Sequence, residues 1–207
     1  KELFRYTLPV LLLLLGLIFL ALPQILKTVS IPSYVTLLFS FLLFNIAIAH
    51  VFGFKKRLFS AWSIRKSHHF ILGCLIGTIP IGIVIAIKSL QDIPTPVAFD
   101  RITAVSILST FAICTWEELW FRGAAFEMAI QKYSPLVACI TFGAIFVALH
   151  AFNPQMNLLK EATQLYLAGY CLGLCYLLFG SIWAPIGVHF ANNYLELLLK
   201  TSKAEFS

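Results

Sequence analysis

The chain has 207 residues, of which 60% are hydrophobic and only 12% charged; its mean hydropathy is +0.90 and its formal net charge +6. That balance excludes a soluble domain whose apolar residues fill a single core and defines an all-α polytopic membrane protein. The basic residues flank apolar runs, so the positive charge fits anionic membrane lipid and not nucleic acid.

Crossing the hydrocarbon takes about 20 apolar residues whose backbone groups are all bonded within the segment, so the apolar runs are expected to be helices. There are about seven, with six to eight possible: Thr7 to Leu26, Ile31 to Phe52, Phe70 to Ile87, Ile102 to Ile130, Pro135 to Phe152, Gln164 to Phe179 and Ile182 to Leu199. The first has no small-residue cleavage site and closes on Pro23, Gln24 and Lys27, which reads as a retained helix and not a signal peptide.

The second run is followed by Lys55, Lys56, Arg57, Arg65 and Lys66, with His68 and His69 alongside. The positive-inside rule places that connector, and the amino terminus with it, in the cytoplasm. Connectors elsewhere are short, with no internal repeat or low-complexity linker, so residues 1–207 read as a single integral-membrane domain. Gly73/Gly77 in the third run and Gly169/Gly173 in the sixth have the spacing that lets helices approach closely.

All five cysteines (Cys74, Cys114, Cys139, Cys171 and Cys175) fall within runs, their number is odd, and no CxxC occurs. They read as packing residues in preference to a disulfide framework, a metal site or a nucleophile. His50, Trp62 and Trp183 suit the membrane interface, and Asn153-Pro154 reads as a helix stop.

The fourth run contains WEELWFRG, with Glu117, Glu118 and Arg122 in a greasy context. Each ionisable group at mid-bilayer costs about 2.5–3.5 kcal/mol on insertion scales, so such residues point to function. Glu118 and Arg122 stand four apart with the acid first, the favoured order for an ion pair on one helix face. Glu117 projects about 100° away and needs a partner from another helix.

Two later runs carry polar residues at the same interval: Phe146 and His150 in FVALH, His189 and Asn193 in HFANN. Glu117 precedes Pro135 by 18 residues and His150 follows it by 15. In antiparallel helices joined by a short turn their heights would differ by about 4–5 Å at 1.5 Å per residue, so a Glu117–His150 contact is expected. His189 is only seven residues into the last run, about 10 Å from its start; a recessed turn at Gly180 and Ser181 would reconcile that depth.

Taken as residues alone, this set leaves several chemistries open. It could be interhelical hydrogen bonding, a proton relay in a small transporter, or a polar clamp in an immunity or scaffold protein. Two histidines and a carboxylate could also hold a catalytic zinc, although the sequence has no HExxH.

Together and in order, EELWFR, FVALH and HFANN resemble the CAAX protease and bacteriocin-processing family of intramembrane glutamic endopeptidases, which includes the type II CAAX prenyl proteases. The likeness covers residues 117–193 and leaves the first hundred residues unmatched by motif. It implies a metal-independent endopeptidase without cofactor, in a bacterial cell membrane. Glu117 would be the base that activates water with His150 beside it, His189 and Asn193 would stabilise the oxyanion, and Glu118 and Arg122 would support the site. The substrate would be a peptide or lipid-modified protein; prenylated CAAX tails, bacteriocin or pheromone precursors and sorting-signal tails all suit the family.

Overall fold

In the computed structural model, the described residues are 59–93, 102–151 and 157–200, with Leu43, Ile46, Ala47 and His50. The expected span Thr7 to Leu26, and all but those four residues of Ile31 to Phe52, lie outside the described residues. Every described element is helical: a 3-10 turn at Ile64–Lys66, then α1 (His68–Leu90), α2 (Ala104–Arg122), α3 (Ala124–Lys132), α4 (Pro135–His150), α5 (Leu158–Phe179) and α6 (Trp183–Lys200). α1 and residues Leu159–Phe179 of α5 are long and apolar enough to cross a membrane, and α4 is a shorter apolar helix.

Local chemistry sets the helix starts. Thr103 and Ser106 form a reciprocal capping box on α2, with N–H to Oγ distances of 3.0 and 3.1 Å. Ser134 Oγ accepts the Val137 N–H at 3.2 Å ahead of Pro135, whose missing N–H costs nothing in the first turn of α4. Asn157 Oδ1 accepts from Lys160 N–H at 3.3 Å, so α5 begins at Leu158, six residues before the expected Gln164.

The run Ile102 to Ile130, expected as one span, is two helices. Gly123, at φ −82° and ψ −137°, leaves the helical region, and a new helix starts with Glu127 N–H on Gly123 O at 3.2 Å. The break puts Arg122 at the very end of α2, where its fully buried side chain can cross to α5, and it turns Phe126 and Glu127 into the interior.

Small residues form the seams. A Cβ on Gly73 would fall on the carbonyl of Ala184, one on Gly77 on the carbonyl of Val188, and one on Gly187 within 2.9 Å of Cys74 N, so α1 and α6 lie backbone against backbone. Across α4 and α5, a Cβ on Gly169 would lie 2.9 Å from Phe146 Cβ, and one on Gly173 3.1 Å from Cys139 Sγ. Both glycine pairs therefore serve close approach. The five cysteines are free thiols, with Cys114, Cys139 and Cys175 buried as packing residues.

The core is aromatic: Phe126 meets Phe142 and Tyr176 edge-on, with centroids 5.2 and 5.6 Å apart. Gly180, at φ +54°, ends α5 in the left-handed conformation that glycine adopts without a Cβ penalty. The α5–α6 turn is recessed into the protein, with Ser181 fully buried, under residues 61–66. Ile182 N–H donates to Ala61 O at 3.1 Å, Trp183 Nε1–H to Ser63 O at 3.0 Å and Lys66 Nζ to Gly180 O at 2.6 Å.

Candidate active site

α2 and α6 bring the intramembrane charges together. Glu118 and Arg122, one turn apart on α2, are both fully buried, and Arg122 Nη1 donates to Glu118 Oε1 at 3.0 Å. Nη2 of the same guanidinium donates to the Gly169 carbonyl at 2.6 Å, using one planar fork to tie α2 to α5. Phe121 and Phe146 flank it, their ring centroids 5.5 and 5.8 Å from Cζ.

From α6, His189 reaches both adjacent carboxylates. Its Nδ1 lies 2.9 Å from Glu118 Oε1 and its Nε2 3.5 Å from Glu117 Oε2. An ionised carboxylate only accepts, so Nδ1 is the donor to Glu118. Nε2 and Glu117 Oε2 can then attract one another only with a proton between them. With that proton on either partner the buried cluster carries no net charge, whereas without it one negative charge would be uncompensated.

Asn193, one turn beyond His189, donates from Nδ2 to Cys114 Sγ at 3.6 Å. His150 is placed differently from the sequence expectation. Its Nδ1 donates to its own helix at Phe146 O, 2.8 Å away, and its ring lies tilted by 39° against Phe146 with centroids 4.3 Å apart; Phe146 also meets Phe121 at 4.8 Å and His189 at 6.1 Å. Among the described residues no hydrogen bond or ion pair joins Glu117 to His150. Heights matching to within about 4–5 Å on antiparallel helices were the basis for expecting that contact; the imidazole instead satisfies itself in the last turn of α4, and Phe146 takes the inward face. The structure thus gathers Glu117, Glu118, Arg122 and His189 into one cluster, sets Asn193 on its flank and holds His150 against Phe146.

The sequence reading did not single out two buried features. Glu127, 1% exposed, accepts a 2.5 Å hydrogen bond from Tyr176 Oη beside a cavity of about 190 Å³ lined by Ser60, Ala61, Leu177 and Gly180 as well. Its position in the same apolar run as Glu117 is a signal that could have found it. The other is the Cys114–Asn193 contact, foreshadowed by Cys114 preceding Glu118 by one turn just as Asn193 follows His189 by one. Among the described residues, no three His, Cys, Asp or Glu side chains converge as ligands of one metal ion.

Helices long and apolar enough to span a bilayer, packed around a buried carboxylate–arginine–histidine cluster, describe an all-α membrane protein with a polar interior. Residues 100–195, which hold every member of that cluster, match the model of the family described as Type II CAAX prenyl endopeptidase Rce1-like. That description agrees with the family that the three motifs resemble. Neither the curated proteins nor the solved structures give a match.

Proposed function

We propose that the protein is a glutamic-type endopeptidase that hydrolyses a peptide bond of a peptide or lipid-modified protein near the membrane face, with no metal ion. The observation that carries the reading is the pairing of Glu117 with His189. Glu117 is the more accessible carboxylate of the pair, its side chain 16% exposed against 0% for Glu118. It is therefore the one that water and a scissile carbonyl would meet.

In this reading Glu117 takes a proton from water as the oxygen attacks the carbonyl, a general-base contribution of about 10²–10⁴-fold. His189 Nε2–H and Asn193 Nδ2–H donate to the developing oxyanion, each such donor being worth about 3–4 kcal/mol in a water-poor site. The proton that balances the buried cluster serves both steps: on His189 it leaves Glu117 ionised as a base and makes Nε2 a donor. When the tetrahedral intermediate collapses, the Glu117 carboxylic acid returns its proton to the leaving amine.

His150, donating through Nδ1 to Phe146 O, keeps Nε2 as an acceptor and is assigned to hold the attacking water with Glu117. Catalytic hydrogen bonds are often long in unliganded sites and close on substrate. The reading also sets the Lys55–Lys56–Arg57 connector on the cytoplasmic face of a bacterial cell membrane, in contact with anionic lipid.

The test is cleavage of a synthetic prenylated peptide by the purified protein, before and after exhaustive chelation, beside Glu117→Gln and His150→Ala. Activity should survive chelation and disappear in Glu117→Gln, with His150→Ala strongly impaired. Loss on chelation that zinc alone restores would replace the glutamic mechanism with a zinc one. Folded variants that cleave as well as wild type would favour a transporter or scaffold. Membrane peptidomes of cells carrying wild type or Glu117→Gln would then identify the substrate.

A further inference from the structure

Glu118 on α2 faces His189 on α6, and Cys114, one turn earlier on α2, faces Asn193, one turn later on α6. A step of four residues back along one helix matches a step of four forward along the other, so the two contacts are successive rungs between antiparallel helices. The upper rung fixes the imidazole. We propose that the lower rung does the same for the carboxamide: Cys114 is a positioning residue that sets the orientation of Asn193, an inference that rests on the protease reading above.

A terminal carboxamide turns about a soft torsion and presents either its oxygen or its NH₂. Only the NH₂ orientation can donate to an oxyanion. Cys114 Sγ accepts from Asn193 Nδ2 at 3.6 Å, which commits one of the two N–H bonds to the thiol and leaves the other to be aimed. Cys114 is fully buried, so water does not compete for the sulfur.

The thiol also sets a distance. A serine hydroxyl would close its N–H···O contact at about 2.9–3.0 Å, drawing the amide inward by at least about 0.6 Å from where a sulfur at 3.6 Å holds it. Displacements of about 1 Å in a catalytic group cost up to about 10²-fold in rate. Serine is thus no substitute here, although it keeps a polar partner.

The experiment is a double-mutant cycle in the full-length protein, with kcat and KM measured on a prenylated peptide and folded fraction monitored by thermal unfolding. Cys114→Ala should lower kcat about tenfold with KM unchanged, and Cys114→Ser should lower it at least as far. Asn193→Ala should cost about 10²–10³-fold, and adding Cys114→Ala to it should cost nothing more, because the thiol acts only through Asn193. Additive losses, or a Cys114→Ala enzyme with wild-type kcat, would overturn the proposal.

A readout independent of activity separates this inference from the protease reading. The S–H stretching band that disappears from the infrared spectrum in Cys114→Ala should shift in Asn193→Ala. An unshifted band removes the contact and the proposal with it. A shifted band in a protein whose wild type cleaves no peptide supports the contact and counts against the protease reading.

Discussion

His189 Nδ1 lies 2.9 Å from Glu118 Oε1, although 71 residues separate them in the chain. Glu118 is thereby held twice through the same oxygen, by Arg122 from its own helix and by His189 from α6. The two neighbouring glutamates are consequently unlike: Glu118 is a fully enclosed structural anion, and Glu117 is the partly accessible one. Their separation by about 100° around α2 becomes a division of labour once α6 is in place.

Glu118→Gln and Glu117→Gln should therefore fail in different ways. Removing the charge of Glu118 leaves Arg122 and His189 without their shared counter-ion and is expected to destabilise the detergent-solubilised protein by about 3–5 kcal/mol. Glu117→Gln should cost less than Glu118→Gln, because the Glu117 side chain is partly accessible and makes the longer contact to His189, yet lose cleavage. Thermal unfolding of the two variants decides it; equal melting curves would mean that the enclosed pair contributes nothing.

Arg122→Lys should not rescue the site. The guanidinium spans Glu118 and the Gly169 carbonyl with two nitrogens of one plane, a geometry that a single ammonium does not reproduce. A loss of about 1.5–3 kcal/mol is expected for the forfeited charged hydrogen bond, again measured by thermal unfolding, with a parallel fall in peptidase activity as the α2–α5 tie loosens.

The glycines of α1 offer a paired test. In Gly77→Ala the new methyl would fall on the backbone of Val188, where nothing flexible can yield, whereas at Gly82 no atom lies within 4 Å of the added carbon. Gly77→Ala is expected to separate α1 from α6 and abolish the folded, active form. Gly82→Ala should be tolerated or stabilise by up to about 1 kcal/mol through helix propensity. Yield of monodisperse protein and its melting temperature report both.

Tyr176→Phe removes the 2.5 Å hydrogen bond to the buried Glu127. The expected cost is about 1.5–3 kcal/mol of stability. Peptidase activity per folded molecule should not change, because this pair packs by the α5–α6 turn and not at the Glu117 cluster. A drop in kcat at unchanged stability would show that the Glu127 cavity communicates with the reaction centre.

Much of the fold was legible because membrane helices announce themselves by composition. Phe70 to Ile87, Pro135 to Phe152 and Ile182 to Leu199 lie close to the observed α1, α4 and α6, their apolar runs being punctuated by Ser134-Pro135 and Gly180. The Glu118–Arg122 pair was legible as well, since both partners sit on one helix at a spacing that brings them together wherever the helix goes. The expected start of α5 at Gln164 missed a first turn that holds Lys160 and Glu161 and that the Asn157 cap sets. The break at Gly123 was hidden because hydrophobicity continues across it; Gly123 leaves the helical region there, and Arg122, now at the end of α2, reaches the Gly169 carbonyl 47 residues away.

The partner of Glu117 shows most clearly where local reasoning stops. Heights along helices can be counted from sequence, but the rotation of each helix about its axis cannot, and rotation decides which side chains face. Composition and the three motifs by themselves determined a helical intramembrane protein, the buried Glu118–Arg122 ion pair and the glycine seams, because these follow from apolar run length, i to i+4 spacing and the missing Cβ. Only the tertiary structure decided that His189 bridges both carboxylates, that His150 turns back onto Phe146 and that Asn193 rests on Cys114. Those contacts depend on how α2, α4 and α6 pack, and packing is set by the whole interface rather than by any one segment.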